Sequence, residues 1–207
     1  MKKQFIFILC GLFLCAGTIV ATDYNVLQQG AVGDGKTLNT QSLQSAIDAL
    51  HAKGGGQLYF PAGRYLTGSL QLKSNVTLYL EKEAVLLGST SPYDYPGFST
   101  EKELKVNNDH FDQALIYAEG AENIGIMGEG CIDGQGRELA LTIDSLHHTG
   151  ELVDKHYNTY RKRPNTRPKL LFMRNCRKVE FRKTNFRSGA ASVSYTHLRA
   201  HETDSYL

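Results

Sequence analysis

Acidic and imidazole side chains gather at two places in this chain of 207 residues. His147 and His148 stand close to Asp144, Glu151, Asp154 and His156, and a shorter group holds Asp109, His110 and Asp112. Such groups could ligate a metal or move protons, but helix-borne ligands need a spacing such as His-Glu-x-x-His, which sets two imidazoles one turn apart. Here the two histidines are adjacent, and on a helix only Asp144 and His148 would share a face. Neither group reads as a metal site, and no cofactor is expected. Asp133, in the run Ile132-Asp-Gly-Gln-Gly136, is the most tempting single carboxylate. An Asp followed by glycine suits a chain corner, because its carboxylate accepts bonds from nearby backbone N–H groups. The structural reading is therefore preferred, and no catalytic residue is assigned. Gly33-Asp34-Gly35 is likewise read as a turn rather than a phosphate loop, and no Ser, His, Asp constellation stands out.

The segment Tyr160-Arg-Lys-Arg-Pro-Asn-Thr-Arg167 offers a different chemistry. Arg161, Arg163 and Arg167 are the candidates for contact with substrate carboxylates, since a guanidinium fork matches a carboxylate at two points. The competing reading is a solvated loop. Between Lys155 and Arg187 the only carboxylate is Glu180, a balance that suits a polyanion such as an acidic polysaccharide or a nucleic acid, or else a solvated face.

The elements that must position these residues are short strands. From Gly54 to Ser89 four runs, Leu58–Phe60, Leu70–Leu72, Val76–Leu80 and Val85–Leu87, carry apolar residues at alternate positions and are separated by Gly, Pro and Asn corners. That pattern predicts stacked coils of a parallel β-helix. Before them, Leu43, Ala46, Ile47 and Leu50 fall at helical spacing after Asn39 or Thr40 as cap, predicting a helix over about 40–52 that covers the open end of the first coil. The run from Leu115 aligns without gaps on the run from Leu170, pairing Ile116 with Leu171, Ile124 with Val179, Ile126 with Phe181 and Gly134 with Gly189. An earlier copy sets Val76 and Leu78 against Ile124 and Ile126. Two long insertions, Ser91 to Gln113 and Arg137 to Pro168, interrupt the coils and are expected to wall a groove.

At the N-terminus, Lys2 and Lys3 precede an apolar run from Phe5 to Leu14 and then small residues to Ala21. The run is too short and too broken for a membrane span, and residues 1–21 read as a secretory signal peptide. Leucine precedes both Cys10 and Cys15, where a lipid-attachment motif needs a small residue. Removing Lys2 and Lys3 from the 23 Lys and Arg leaves 21, equal to the 21 Asp and Glu. Cys131 and Cys176 remain as small buried thiols of separate coils, with a disulfide open to an exported protein. From Ser192 the alternation stops. Val193 to Thr203 resembles a translated sequencing adapter, which makes 192–207 a non-native tail and 22–191 the natural part.

Taken together, Gly30 to Ser89, Ile132-Asp-Gly-Gln-Gly136 and Arg167-Pro-Lys-Leu-Leu-Phe172 with its Asn175-Cys176 corner resemble the N-terminal part of the polygalacturonases, the pectin-degrading glycoside hydrolases of family 28 type. The opening and the Phe-Pro-Ala-Gly-Arg-Tyr turn at 60–65 are shared with other β-helix proteins. The resemblance implies an all-β, right-handed parallel β-helix of the pectin-lyase-like kind, bearing one capping helix. It also implies inverting hydrolysis of α-linked galacturonic acid by three clustered aspartates, one protonating the leaving oxygen and others positioning water. In the family these lie in Asn-Thr-Asp, Asp-Asp, Gly-His-Gly and Arg-Ile-Lys motifs, none of which occurs in this chain. The expected whole is an exported monomer acting on pectin, periplasmic or extracellular, with no nucleic-acid partner and no membrane span after signal cleavage. The chain is expected to be its inactive N-terminal portion. Alternatives are a lyase or epimerase of uronic-acid polymers, or a non-catalytic adhesin or tailspike.

Overall fold

The computed structural model describes residues 22–95, 114–151, 167–190 and 194–196. Five short elements open the chain: β1 Thr22–Asn25, β2 Asp34–Leu38, helix α1 Thr40–Ala52, β3 Gly56–Phe60 and β4 Gly63–Thr67. Next come β5 Leu70–Gln71, β6 Val76–Leu80, β7 Ala84–Gly88, β8 Ala114–Glu119, β9 Glu122–Met127 and β10 Cys131–Asp133. Helix α2 Gly136–Thr149 is followed by β11 Lys169–Arg174, β12 Arg177–Arg182, β13 Asn185–Arg187 and β14 Ser194–Thr196. They form three parallel sheets: β1-β3-β6-β9-β12, then β2-β4-β7-β10-β13, then β5-β8-β11-β14. Once past α1 the chain visits sheets one, two and three in turn, so each circuit lays a new coil on the last. The architecture is a right-handed parallel β-helix.

Alternation puts every second side chain of β3, β4 and β6 inside, while β8 and β11 also send adjacent residues, Leu115 with Ile116 and Leu170 with Leu171, into the core, and register stacks like on like. Leu58, Leu78, Ile126 and Phe181 make one interior column, Tyr65, Leu86, Ile132 and Phe186 a second, and Leu70, Ile116 and Leu171 a third. Adjacent coils sit at strand spacing, about 4.8 Å, so these columns are close-packed. Helix α1 closes the end of this core with Leu43, Ala46, Ile47 and Leu50, all buried. Complete burial of its three large side chains is worth about 1.5–3 kcal/mol each.

Asn39 precedes α1 as expected, but its side chain does not cap the helix. It turns back and binds the Val32 N–H and the carbonyls of Val32, Thr37 and Leu66. On the far side of α1, the Gln44 amide accepts from Gln71 N–H at 2.8 Å and donates to Gln71 C=O at 3.1 Å. It thereby takes the place of a neighbouring strand at the free edge of β5, which would otherwise offer unpaired backbone groups.

Four features depart from the sequence reading. Gly63–Thr67 is a full strand, β4, so the turn in this region shrinks to Pro61 and Ala62; Tyr65 and Thr67 face in, while exposed Arg64 masks the alternation. The second insertion begins as helix α2, whose Leu139 and Ile143 join the core one turn apart. The gap-free repeat holds for sheets three and one, where Leu171 lies on Ile116, Val179 on Ile124 and Phe181 on Ile126. It slips by one in sheet two, where Arg187 pairs with Asp133, because Gly128-Glu129-Gly130 turns one corner and only Lys183-Thr184 the next. Finally, Ser194–Thr196 pairs with Phe172–Arg174 despite the lost alternation; ladder bonds use backbone groups alone. The signal segment lies outside the described residues, and no helix within them is long and apolar enough to cross a membrane.

Candidate functional site

Both insertions leave the solenoid at the same corner: one joins β7 to β8, the other β10 to β11. Each therefore delivers the chain from sheet two into sheet three. The outer face of sheet three, at the foot of both, carries the densest chemistry among the described residues. Tyr117 and Phe172 pair in register on this face with rings stacked at 5.8 Å and 8°, and with Ala114 they form a buried cluster apart from the main core. Lys169 Nζ lies 5.0 Å from the Phe172 ring centre and Arg174 Cζ 5.9 Å from it. Arg174 also pairs with Glu119 at 2.5 Å, its own side chain only 9% exposed, and the Tyr117 hydroxyl donates to the same carboxylate. Burial, reinforced by Glu119, drives the Tyr117 phenol upward from its ordinary pKa, so it remains a neutral donor. Stacking contributes about 0.5–1.5 kcal/mol and each cation over the ring about 0.5–2 kcal/mol. The cluster is a sealed, rigid base for whatever the corner presents.

The residues picked out by sequence fare differently. Arg167 lies half-buried on the approach to β11, two residues before Lys169; Arg161 and Arg163 lie outside the described residues. Asp133 behaves as a corner: Oδ1 accepts from the Gln135 N–H and Oδ2 from Arg187 Nε at 3.0 Å. The glycine after it belongs to the same turn, since a Cβ on Gly134 would stand 2.8 Å from the Ser188 carbonyl oxygen. His147 and His148 lie in the last turn of α2, and His148 Nδ1 meets the Asp144 carbonyl at 2.6 Å. Asp109, His110, Asp112, Asp154 and His156 lie outside the described residues. Among the described residues no group of three or more His, Cys, Asp or Glu is placed to hold a metal.

Within the described part of the basic window, Arg177 to Arg187 form an ion-pair ladder between neighbouring coils. Arg177 and Lys178 meet Glu122, Lys183 meets Glu129 and Arg187 meets Asp133, while Arg182 pairs with Glu180 within its own strand. Arg182 apart, these cations are answered by carboxylates that lie 54 to 56 residues earlier in the chain, so a count along the sequence overstates the free charge. The outer-face cluster was missed in the sequence. Its signal was the same repeat: the gap-free alignment already sets Tyr117 beside Phe172 and Glu119 beside Arg174. Cys131 and Cys176 are free thiols on separate coils, and burial raises the pKa of both.

Three parallel sheets wound right-handed, with long excursions from one corner, define the pectate lyase-like β-helices. The family described as rhamnogalacturonase A/epimerase, pectate lyase-like, matches residues 24–91. An exo-poly-α-D-galacturonosidase of Dickeya chrysanthemi is 40% identical over 139 residues, 64% of this chain and 23% of its own. A structure from Parabacteroides merdae ATCC 43184, assigned as a glycosyl hydrolase, is 35% identical with a TM-score of 0.70 over 84% of this chain and 69% of that one. The family 28 exopolygalacturonase of Yersinia enterocolitica is 27% identical with a TM-score of 0.65, covering 83% and 36%. The chain belongs to the polygalacturonase-type glycoside hydrolases of family 28. It spans 23% of the length of the Dickeya relative.

Proposed function

We propose that these coils are the N-terminal part of an exported hydrolase that cleaves α-linked galacturonic acid in pectin with inversion. The observation that carries the reading is the shared corner: both insertions depart between sheets two and three, beside one outer sheet face along which a polymer can lie. Relatives named for polygalacturonate hydrolysis support the substrate class. Both of those relatives are exo enzymes by name, which favours attack at chain ends. The three-aspartate chemistry is assigned to coils stacked beyond Arg187, on the continuation of the same sheets, and not to any residue of this chain. Arg167, together with Arg161 and Arg163, is proposed to meet substrate carboxylates at the mouth of the second insertion. Residues 1–21 are proposed as the export signal, and 192–207 as foreign to the natural domain.

A reducing-end assay on polygalacturonate tests this. The present chain is expected to release no reducing ends, whereas the intact gene product, extended to the length of its relatives, is expected to release galacturonate. Turnover by the present chain would refute the assignment of chemistry to later coils. A second reading, lytic or epimerising action, draws on the mixed description of the matching family. Unsaturated uronide products from the intact protein would decide for it.

A further inference from the structure

A groove of about 560 Å³ opens between α1 and the corner where β4 passes into β5. That volume lies within the about 300–1,000 Å³ common for small-molecule clefts. One wall is the polar stripe of α1, Gln41, Gln44, Ser45 and Asp48, and the other includes Gln71 and Asp94. The stripe follows from helical spacing: 41 and 45, like 44 and 48, lie one turn apart on the side away from the buried Leu43, Ile47 and Leu50. The groove continues the outer face of sheet three, since Gln71 is in register with Tyr117.

Its chemistry is that of a sugar site with the wrong sign for a uronate. Gln44 is held rigid by the Gln71 backbone and by Asp48 Oδ1 at 2.9 Å. Gln41 and Ser45 are exposed, and Asp94 uses only Oδ2, on the Ser89 hydroxyl, leaving Oδ1 to accept. An amide, a hydroxyl and a carboxylate oxygen together match the alternating donors and acceptors of vicinal sugar hydroxyls. Leu38, 48% exposed, lines the groove and offers apolar surface to a sugar's C–H face. Among the described residues no Lys, Arg or His lines the groove. Lys73 is committed to Asp48 at 2.8 Å. A galacturonate carboxylate placed here would face Asp94, while Lys73, the nearby cation among the described residues, is already paired with Asp48, and like charges at such distances repel.

We propose that this groove binds neutral sugar units, of the kind carried as branches on an acidic polysaccharide, and discriminates against uronates. The proposal rests on the reading of the chain as polysaccharide-acting and adds a specificity to it. Binding can be followed without turnover, by saturation-transfer NMR and calorimetric titration of the full chain with a neutral β-linked galactose tetrasaccharide and, separately, with tri-galacturonate. The neutral probe is expected to bind at millimolar concentration and tri-galacturonate at least tenfold more weakly. Ser45→Trp, which fills the groove from an exposed helix position, and Gln41→Ala are each expected to weaken the neutral probe at least fivefold with thermal unfolding unchanged. Equal or tighter binding of tri-galacturonate, no binding of the neutral probe, or variants that bind like the parent would overturn the proposal. Loss of hydrolysis in the intact enzyme would strike the proposed function and leave this result standing.

Discussion

Replacing Asn39 should destabilise the capped end of the solenoid more than any exposed substitution can. The side chain is 2% exposed and makes four contacts: Oδ1 accepts from Val32 N–H at 2.7 Å, and Nδ2 reaches the carbonyls of Thr37 at 2.8 Å, Val32 at 3.0 Å and Leu66 at 3.2 Å. Two amide hydrogens serve three acceptors, so about three full bonds are at stake. At about 1 kcal/mol net each, plus the cost of leaving the Val32 N–H unpaired, Asn39→Leu is expected to cost about 3–4 kcal/mol. Asn39→Asp preserves the shape but turns an acceptor toward three carbonyls and buries a charge. Its folded pKa must then rise above the ordinary value near 3.9. A raised folded pKa means stability that is present at low pH and is lost as pH climbs from about 4 to the folded pKa. Asn39→Asp should thus be worst at neutral pH and recover in mild acid. Urea titrations at pH 4 and pH 7, with hydrogen exchange at the Val32 amide as a local probe, measure both effects. If Asn39→Leu falls within 1 kcal/mol of the parent with Val32 still protected, or Asn39→Asp shows no pH dependence, the role given to this side chain is wrong.

Other consequences are as direct. The Asp34 carboxyl is held down to about 2 by the backbone N–H groups of Thr37 and Lys36 and by the Thr37 hydroxyl, so an NMR titration should find its midpoint there. Because that pKa is depressed, the loop's stabilisation is present above about 4 and lost as pH falls toward 2, and Asp34→Asn should abolish that step in the Lys36 and Thr37 amide shifts. Gly136→Ala places a methyl 2.6 Å from the Ala190 backbone and should cost about 1–3 kcal/mol in urea unfolding. Lys178 holds φ at 52°, stacked above Asn75 at 65° and Asn123 at 56°. Asparagine tolerates this conformation better, so Lys178→Asn should raise stability by about 0.5 kcal/mol; a decrease of that size would count against the ladder.

The fold was legible because its rule is simple. Alternation marks the inside of each strand, and a corner residue marks each bend, so Val76–Leu80 and the capping helix could be placed from the sequence to within a residue or two. Legibility failed where a side chain answered to a neighbour about 50 residues away. Arg64 and Arg187 stand on the outside of strands, and nothing adjacent in sequence says which coil they will lie against. The basic window looked free for the same reason: Glu122, Glu129 and Asp133, which answer its cations, sit one coil earlier. Asn39 or Thr40 reads as a cap because a cap is a local event, whereas the Asn39 side chain closes back on Val32 and Thr37 and also reaches Leu66, 27 residues later. The catalytic question had a different obstacle, since motif reading can identify a family from structural corners that perform no chemistry.

Register explains why structure and chemistry separate so cleanly in this architecture. Gly56 lies beside Val76, Thr77 beside Gly125 and Glu122 beside Arg177, steps of 20, 48 and 55 residues around the same three sheets. The coil itself barely changes; the difference is held in the two insertions at one corner. A chain pinned on both sides by ladder bonds can lengthen such an excursion at little cost, because closing a loop becomes harder only logarithmically with length. The walls beside sheet three can therefore diverge while the columns behind them stay fixed. Tyr117, Glu119, Phe172 and Arg174 sit at that junction, with one side of their strands in the core and the other on the outer face of sheet three. Their sealed, ion-paired packing fits a foundation that transmits the core's rigidity to the corner, and it leaves ligand contact to residues above it and to the open groove beside α1.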